Sequence, residues 1–497
     1  MGSTEKYLSD LGLAPLRGKD RPVHSLSSDS RTVVKGSLFA ALPGTQVHGG
    51  RFITQALKNG AQTILTDRAG YEMARSEISS FDAAVVVAQD PRAALASAAA
   101  LWFARQPGTV VAVTGTNGKT SVASFCQQIW AELGYSSVNI GTTGVEGAWT
   151  APLAHTTPDP LTLHSILCAA AEAGVTHAAM EASSHGLDQR RLEGVRLNAA
   201  GFTNISQDHL DYHDDFEAYF AAKAGLFDRV LPQECPAVIN SDAQKGMSLA
   251  ERLKQRDQQI ITIGQNETAD LRLIAQRFSP RGQDIRYQWQ GRSFQSTLPL
   301  IGGFQAENVL MAAGLVIVSG HDPQDVFQTL PHLVTVRGRM EFAAERLNGA
   351  SVFVDYAHTP DAVKTAIEAF RPHVMGRLIA IIGAGGDRDP GKRPQMGALA
   401  AEASDHLIVT DDNPRSEDPA YIRNMVLAGI ENADHVSEVG DRAEAILRAV
   451  DMLGPGDGLL ITGKGHETGQ IIGQDILPFN DAEQASVAVA ALDGLIS

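Results

Sequence analysis

Thr109-Val-Val-Ala-Val-Thr-Gly-Thr-Asn-Gly-Lys-Thr120 is the stretch that decides the fold. Its first half, Thr109–Thr114, is short and rich in β-branched residues, which suits a parallel strand buried on both faces. Its second half, Gly115–Thr120, leads into a helical pattern over Thr120–Leu133 that Gly134 stops. A strand that turns through glycines into a helix is the context a phosphate loop requires. Glycines let backbone N–H groups converge on phosphate oxygens, and the helix N-terminus adds favourable partial charge. Lys119 can reach the outer phosphates, and the Thr120 hydroxyl can sit on Mg²⁺. The full pattern has four residues between its glycines, and here Val113 occupies the first glycine position. A plain strand-to-helix turn is the competing reading, and Gly-Lys-Thr in this context argues against it.

The alternation continues outward from this loop. Upstream, Ser37–Leu42 reads as a strand ended by Pro43-Gly44, Arg51–Asn59 as a helix stopped by Gly60, and Gln62–Thr66 as a strand. Ala83–Ala88 is another apolar run, an Ala-rich helix follows Pro91, and Gln106-Pro107-Gly108 reads as a boundary. Downstream, His177–Met180 and Ala199–Thr203 read as core strands. Asn266–Leu300 alternates like an antiparallel excursion, and Gly302–Ser319 resumes as a helix. Past Val336, strands are expected at Val352–Tyr356, Leu378–Ile382, Leu407–Thr410 and Leu459–Thr462, with helical stretches such as Asp361–Phe370 between them. Thr335-Val-Arg-Gly-Arg339 reads as a hinge. The expected fold class is α/β in three domains, 1–106, 107–335 and 336–497. The middle one carries a P-loop ATPase-type parallel sheet and the last is Rossmann-like.

Length agrees: at roughly 150 residues per domain, 497 residues give about three. A formal charge of -16 sets the surface against a phosphate backbone, so nucleic acid is not an expected partner. It leaves room for a local basic pocket that takes a small anion. Cys126, Cys168 and Cys235 are far apart, which indicates neither a disulfide framework nor a thiolate zinc site. The N-terminus lacks an apolar signal core, and the run Ala93–Ala104 is too short to span a bilayer. A soluble cytoplasmic protein, with no membrane partner, is the expectation.

Several further residues bear chemistry. Glu181 ends a strand in Met180-Glu-Ala-Ser-Ser-His185, a fit place for a Mg²⁺ ligand beside a nucleotide, although a loop glutamate is ordinarily just solvated. His209 and His213 could share a helix face, but no Glu completes a zinc pattern. Spacing alone reads Lys223 as a surface lysine; burial beside a metal would make its amine reactive. Arg191 could hold a carboxylate or phosphate in bidentate fashion, or be an exposed neighbour of Arg190. Gly383-Ala-Gly-Gly386 hints at a dinucleotide fingerprint, but Arg388 stands at the third glycine position, so an anion-binding loop is the better reading.

These motifs together resemble the Mur ligase family over essentially the whole chain. Ser28-Asp-Ser-Arg31 and Gly36–Ala40 match its N-terminal domain. Gly115–Thr120, Thr156-Thr-Pro158, Glu181–Gly186 and Asn204–His213 match its central domain. Asp355–Pro360, Gly385–Pro394, Asp412-Asn-Pro-Arg415 and Gly463-Lys-Gly-His-Glu467 match its C-terminal domain. The resemblance implies ATP-dependent addition of meso-diaminopimelate to the D-Glu γ-carboxylate of UDP-MurNAc-L-Ala-D-Glu. The reaction passes through an acyl phosphate and serves cell-wall synthesis. The partners it implies are these three small molecules, with Mg²⁺, acting on a monomer.

The resemblance also implies residue roles. Gly115, Thr116, Asn117, Gly118, Lys119, Thr120 and Ser121 bind ATP together with Asn308, Arg339, Asp355 and His358. Thr120, Glu181 and His209 surround the metal, and Lys223 matches a lysine that the family carries as a carbamate. Lys119, Glu181, His209 and Lys223 are the implied catalytic set. Ser28, Ser30, Thr45, Gln46, Val47, Thr156, Thr157, Ser183, Gln189 and Arg191 hold the UDP-substrate. Arg388, Asp412, Asn413, Pro414, Arg415, Gly463 and Glu467 hold diaminopimelate, with an arginine at Arg415 marking users of that amino acid. Arg388 and Arg415 could pair with its distal carboxylate and Glu467 with its distal ammonium, so a site built this way should reject lysine. Two positions depart from the pattern: Gln305 follows Phe304 where Asn is usual, and Pro390 stands where Lys is common. A non-catalytic nucleotide-binding homologue should have lost Lys119, Glu181 or Lys223, and all three are present. A folate polyglutamate ligase would lack the 412–415 motif and the Ser28–Arg31 segment.

Overall fold

The computed structural model describes residues 6–44, 47–206 and 212–495. Two compact units divide the chain. The first comprises Met1–Ala269 and Met311–Val326, the second Asp270–Leu310 and Phe327–Ser497.

The first unit contains two main sheets. Ser25–Ser27, Ser37–Ala41, Thr63–Thr66 and Ala84–Val87 lie side by side, all parallel. Phe39, Ile64 and Val85 on one face pack with Ile53, Ala56 and Leu57 of the helix Ile53–Lys58. The larger sheet places Thr109–Thr114 between Ala199–Phe202 and His177–Glu181. Ala237–Asn240 and Ile260–Gly264 continue on one side, and Ser137–Gly141 lies beyond His177–Glu181 on the other. These strands are all parallel; Gly144–Gly147 closes that edge antiparallel. Buried apolar runs of four to six residues form them because both sheet faces are covered. The register sets Glu181 opposite Val113, so the last carboxylate of one strand lies beside the phosphate-loop turn of its neighbour.

The second unit holds a six-stranded sheet in the order Glu341–Glu345, Ser351–Asp355, Gly458–Thr462, Leu378–Ile382, His406–Val409, Val436–Glu438. All but the first pairing are parallel. Helices Pro360–Phe370, Lys392–Ala403 and Pro419–Leu427 cover one face through Val363, Ile367, Met396, Ala400, Ile422 and Val426. Helices Arg442–Asp451 and Asp481–Leu492 cover the other through Ile446, Val450, Ala485 and Val489. This is the doubly wound arrangement the alternation predicts, with loops at the strand C-termini available for ligands. Leu271–Ser279, Gly282–Trp289 and Arg292–Leu298 form the antiparallel meander expected over 266–300. None of the described helices is long and apolar enough to cross a membrane.

Candidate active site

The phosphate loop is held open by its own sequence. Gly115 and Gly118 take φ values of 151° and 87°, which side chains rarely adopt. At Gly115 a Cβ would also lie 1.9 Å from Thr203 Oγ1, so glycine is required there. The loop is tied from the neighbouring strand end. Thr116 N donates to Asn204 O at 3.0 Å, Asn117 N to Asn204 Oδ1 at 2.9 Å, and Thr203 Oγ1 to Asn117 O at 2.6 Å. Lys119 opens the helix Lys119–Glu132, one residue earlier than the pattern suggests, and its Nζ reaches back to Gly115 O (2.9 Å) and Thr116 O (2.8 Å). Thr120 sits in the first turn, and Ser121 is buried behind it.

Glu181 is no solvated loop residue: it is 1% exposed at the end of its strand. Its Oε1 accepts from Thr142 N at 2.8 Å, while Oε2 takes no hydrogen bond among the described residues. Gly141 makes room, since a Cβ there would lie 2.1 Å from that Oε1. The backbone carbonyl of Glu181 accepts from Thr157 Oγ1 at 2.9 Å, and Thr157 Oγ1 in turn accepts from Ser183 N at 3.0 Å. Thr156 and Thr142 hydroxyls lie 3.0 Å apart. Arg191 donates to Thr157 O (2.6 Å) and Gln189 Oε1 (2.7 Å), and Gln189 donates to Tyr212 Oη at 3.1 Å. Thr156, Thr157, Ser183, Gln189 and Arg191 therefore form one connected patch beside Glu181. Burial lowers the Arg191 pKa, yet a guanidinium remains a cation.

Lys223 overturns the surface reading. It is 1% exposed, donates to Gly115 O at 2.7 Å, and lies over the Tyr219 ring at 4.4 Å. Two lysine nitrogens, Lys119 and Lys223, thus converge on one carbonyl oxygen of the phosphate loop. Sequence spacing missed this because the helix Phe216–Gly225 is nearly apolar all round, with Tyr219, Ala222 and Ala224 buried as well. Ser28 is exposed and Ser30 half-buried in the turn after Ser25–Ser27. Asn59 Nδ2 donates to Ser30 O at 2.8 Å, and Val47 is exposed. Thr45, Gln46 and His209 lie outside the described residues.

In the second unit Asp355 ends its strand, accepting from Met340 N and Ala357 N at 2.8 Å each. Burial raises its pKa, opposed chiefly by the Arg339 charge. Arg339 lies over the Tyr356 ring at 4.9 Å, and His358 is exposed with Nδ1 2.8 Å from Tyr356 O. Asn308 Nδ2 donates to Gln305 Oε1 at 3.0 Å, so the departing Gln305 serves as a buried partner to Asn308. The motifs expected to take the amino acid also meet in this unit. Gly386 N donates to Asn413 O at 2.9 Å, and Arg415 Nη1 donates to Gly386 O at 2.8 Å, joining the 383–390 loop to the 412–415 turn. Asn413 Nδ2 donates to Glu467 Oε2 at 2.9 Å. A Cβ on Gly463 would lie 2.4 Å from Asp412 Oδ2. Pro414 is buried, while Arg388 and Pro390 are exposed.

The sequence matches the Mur ligase family catalytic domain over residues 22–103, the Mur ligase middle domain over 113–316 and the Mur ligase glutamate ligase domain over 338–465. The chain belongs to the Mur ligase family. Among Mur ligases it is 46% identical to UDP-N-acetylmuramoyl-L-alanyl-D-glutamate--2,6-diaminopimelate ligase of Caulobacter vibrioides, covering 98% of this chain and 99% of that one. It is 45% identical to the ligase of the same name from Agrobacterium fabrum, over 99% and 96% of the two chains. A solved structure of a ligase with this name superposes with a TM-score of 0.74 at 32% identity, covering 98% and 99% of the two chains. The folylpolyglutamate synthase of Mycobacterium tuberculosis complexed with ADP shares the fold, with a TM-score of 0.60 at 20% identity over 74% and 91% of the two chains.

The donors beside this Mur ligase's phosphate loop suit Mg²⁺: a hydroxyl at Thr120, and a buried carboxylate at Glu181 with one oxygen uncommitted. Residues that the sequence reading left without a role include Lys464, fully buried beneath Glu467, and Arg393, which is 2% exposed and paired with Glu417 at 2.7 Å. Both lie inside motifs already noticed, but nothing in their spacing marks a lysine or arginine as buried.

Proposed function

We propose that this Mur ligase joins meso-2,6-diaminopimelate to the D-Glu γ-carboxylate of UDP-MurNAc-L-Ala-D-Glu, consuming ATP. The observation that carries the reading is the 412–415 turn. It sets Arg415 beside the Gly386 loop and Asn413 against Glu467, so a cation and an anion are offered to an amino acid with a charged far end. The names of the relatives at 45–46% identity support the same substrate.

The chemistry follows from charge. A γ-carboxylate oxygen attacks the terminal phosphorus of ATP and ADP departs, leaving an acyl phosphate. The diaminopimelate amine then attacks the acyl carbon, phosphate leaves with the C–O bond electrons, and the amine proton is released. Phosphoryl transfer needs little covalent help and much charge neutralisation. Lys119 serves this by exchanging its loop carbonyls for phosphate oxygens, and the backbone N–H groups of Gly115–Ser121 complete the cradle. Thr120, Glu181 and His209 would hold Mg²⁺, which would supply further neutralisation of phosphate charge. Lys223 shares a carbonyl acceptor with Lys119; a carbamate there, formed from its deprotonated amine and dissolved CO₂ with loss of a further proton, would replace two neighbouring cations by an ion pair.

Asn308, Arg339, Asp355 and His358 contribute to nucleotide binding. Ser28, Ser30, Thr45, Gln46, Val47 and the Thr156–Arg191 patch hold the UDP-substrate. Arg388, Asp412, Pro414, Arg415, Gly463 and Glu467 complete the amine site with Asn413. In this reading residues 1–106 anchor the UDP-substrate, 107–335 bind ATP and 336–497 take the amino acid. The enzyme acts as a cytoplasmic monomer, supplying the wall precursor on which cell shape and division depend. The test is phosphate release by the purified chain. Turnover is expected only with ATP, UDP-MurNAc-L-Ala-D-Glu and meso-diaminopimelate together; equal turnover with L-lysine would refute the amine assignment.

A further inference from the structure

We propose that Lys464 and Gln470 are positioning residues that set the diaminopimelate-reading turn and thereby the choice of amine. The inference rests on the reaction proposed above. Lys464 is 0% exposed, and an ammonium removed from water must have its protons met by protein acceptors. Its Nζ donates to Asn413 Oδ1 at 2.9 Å and lies 3.4 Å from Glu467 Oε2. Asn413 Oδ1 also accepts from Ile471 N at 2.9 Å. With its oxygen taken by two donors, the Asn413 amide has one orientation open, and its Nδ2 faces Glu467 Oε2 at 2.9 Å. Glu467 Oε2 is thus bound from two sides. Oε1 takes no hydrogen bond among the described residues, so it is the oxygen left for the ammonium of the incoming amino acid.

The hairpin Gly469–Ile472 and Asp475–Pro478 braces the same turn from the side. Gln470 Nε2 donates to Asp412 O at 2.7 Å. Arg415 N donates to Ile471 O at 3.1 Å, and Arg415 O accepts from Gly473 N at 2.8 Å. These main-chain bonds hold Arg415 at φ 50°, a left-handed conformation an arginine does not choose unaided. Lys464 and Gln470 act only through protein atoms: the first fixes the Asn413–Glu467 pair, the second the carbonyl at the start of the turn. A displacement near 1 Å in such a site costs on the order of 10²-fold in rate, so losing either brace should be visible at the amine and nowhere else.

The experiment compares initial rates of the full chain with Lys464→Met, Lys464→Arg and Gln470→Ala, varying each of the three substrates in turn. For Lys464→Met the KM for meso-diaminopimelate is expected to rise about tenfold or more, and preference over L-lysine to fall by a similar factor. KM for ATP and for the UDP-substrate should stay within about twofold. Lys464→Arg keeps a cation and should recover part of the loss. Gln470 is only half-buried, so Gln470→Ala should fold; it is expected to raise the diaminopimelate KM by about three- to fivefold. Unchanged diaminopimelate KM, or all three KM values moving together, overturns the proposal. Should Lys464→Met not fold, Lys464→Arg and Gln470→Ala decide by the same criterion. If the unaltered chain releases no phosphate in response to diaminopimelate, the proposed reaction itself falls. If it does and the variants keep its KM, only the positioning roles fall.

Discussion

Replacing Asp481 by Asn tests the charge pair buried in the second unit. Arg442 and Asp481 are both 0% exposed at the side chain, joined by Nε–Oδ1 and Nη2–Oδ2 contacts of 2.7 Å each. Arg442 Nη2 also donates to Thr462 O at 2.8 Å, the residue preceding Gly463. Asp481→Asn preserves shape, so no cavity term enters, but it leaves a guanidinium buried against a neutral amide. Removing one partner of a buried pair costs about 3–5 kcal/mol, because the surviving charge keeps its desolvation penalty. At about 2–4 °C per kcal/mol for a unit of this size, the thermal transition should fall by roughly 6–20 °C. Urea unfolding of the full chain, followed by far-ultraviolet circular dichroism, measures the loss directly. The double variant Arg442→Met with Asp481→Leu should recover most of it, since an apolar pair of similar volume carries no desolvation penalty. A loss below about 1 kcal/mol in Asp481→Asn, or a double variant no better than the single, would refute the reasoning.

Three other outcomes are expected. Gly141→Ala should displace the Glu181 carboxylate, whose Oε1 would lie 2.1 Å from the new Cβ. The Mg²⁺ concentration for half-maximal turnover should then rise while KM for diaminopimelate holds. The His177 pKa is pushed down to about 4, first by burial and then by the His321 charge. His177 therefore stays neutral in the fold, and its stability contribution, complete above its ordinary value near 6.5, is lost as pH falls toward 4; His177→Gln should flatten stability over that window in urea titrations. Glu417 is held at about 2 by the Arg393 guanidinium and the Asp387 N–H. Its contribution is present above its ordinary 4.5 and lost as pH falls toward 2, so Glu417→Gln should reduce the pH slope of acid unfolding there.

The parts of the fold that were legible in the sequence are those with one dominant signal. Thr109–Thr114 and Leu378–Ile382 were read to the residue because a buried parallel strand admits almost nothing polar. Ser137–Gly141 and Ala237–Asn240 are harder to read, because the buried Asn139 interrupts the first and the apolar run of the second is only three residues before the buried Asn240. The helix expected over Arg51–Asn59 starts instead as a 3₁₀ turn at Gly49–Phe52. His48 caps it by accepting from Gly50 N, a role the usual Ser, Thr, Asp and Asn signals do not announce. The site divides similarly. Glycines and Lys119 in the phosphate loop declare themselves by spacing. The burial of Lys223, Arg393 and Lys464 depends on partners elsewhere in the chain, Gly115, Glu417 and Asn413, which no local pattern encodes.

Arg415 carries an evolutionary consequence. Its left-handed backbone costs an arginine about 1–2 kcal/mol that glycine would not spend and that asparagine would spend less of. The residue proposed to recognise the second carboxylate therefore sits where a glycine would relieve backbone strain, at the loss of the side-chain bond to Gly386 O. Relief of that strain by Arg415→Gly would remove the guanidinium proposed to tell two diamines apart. On the proposed reading, choice of the wall precursor is what sets this position against backbone ease.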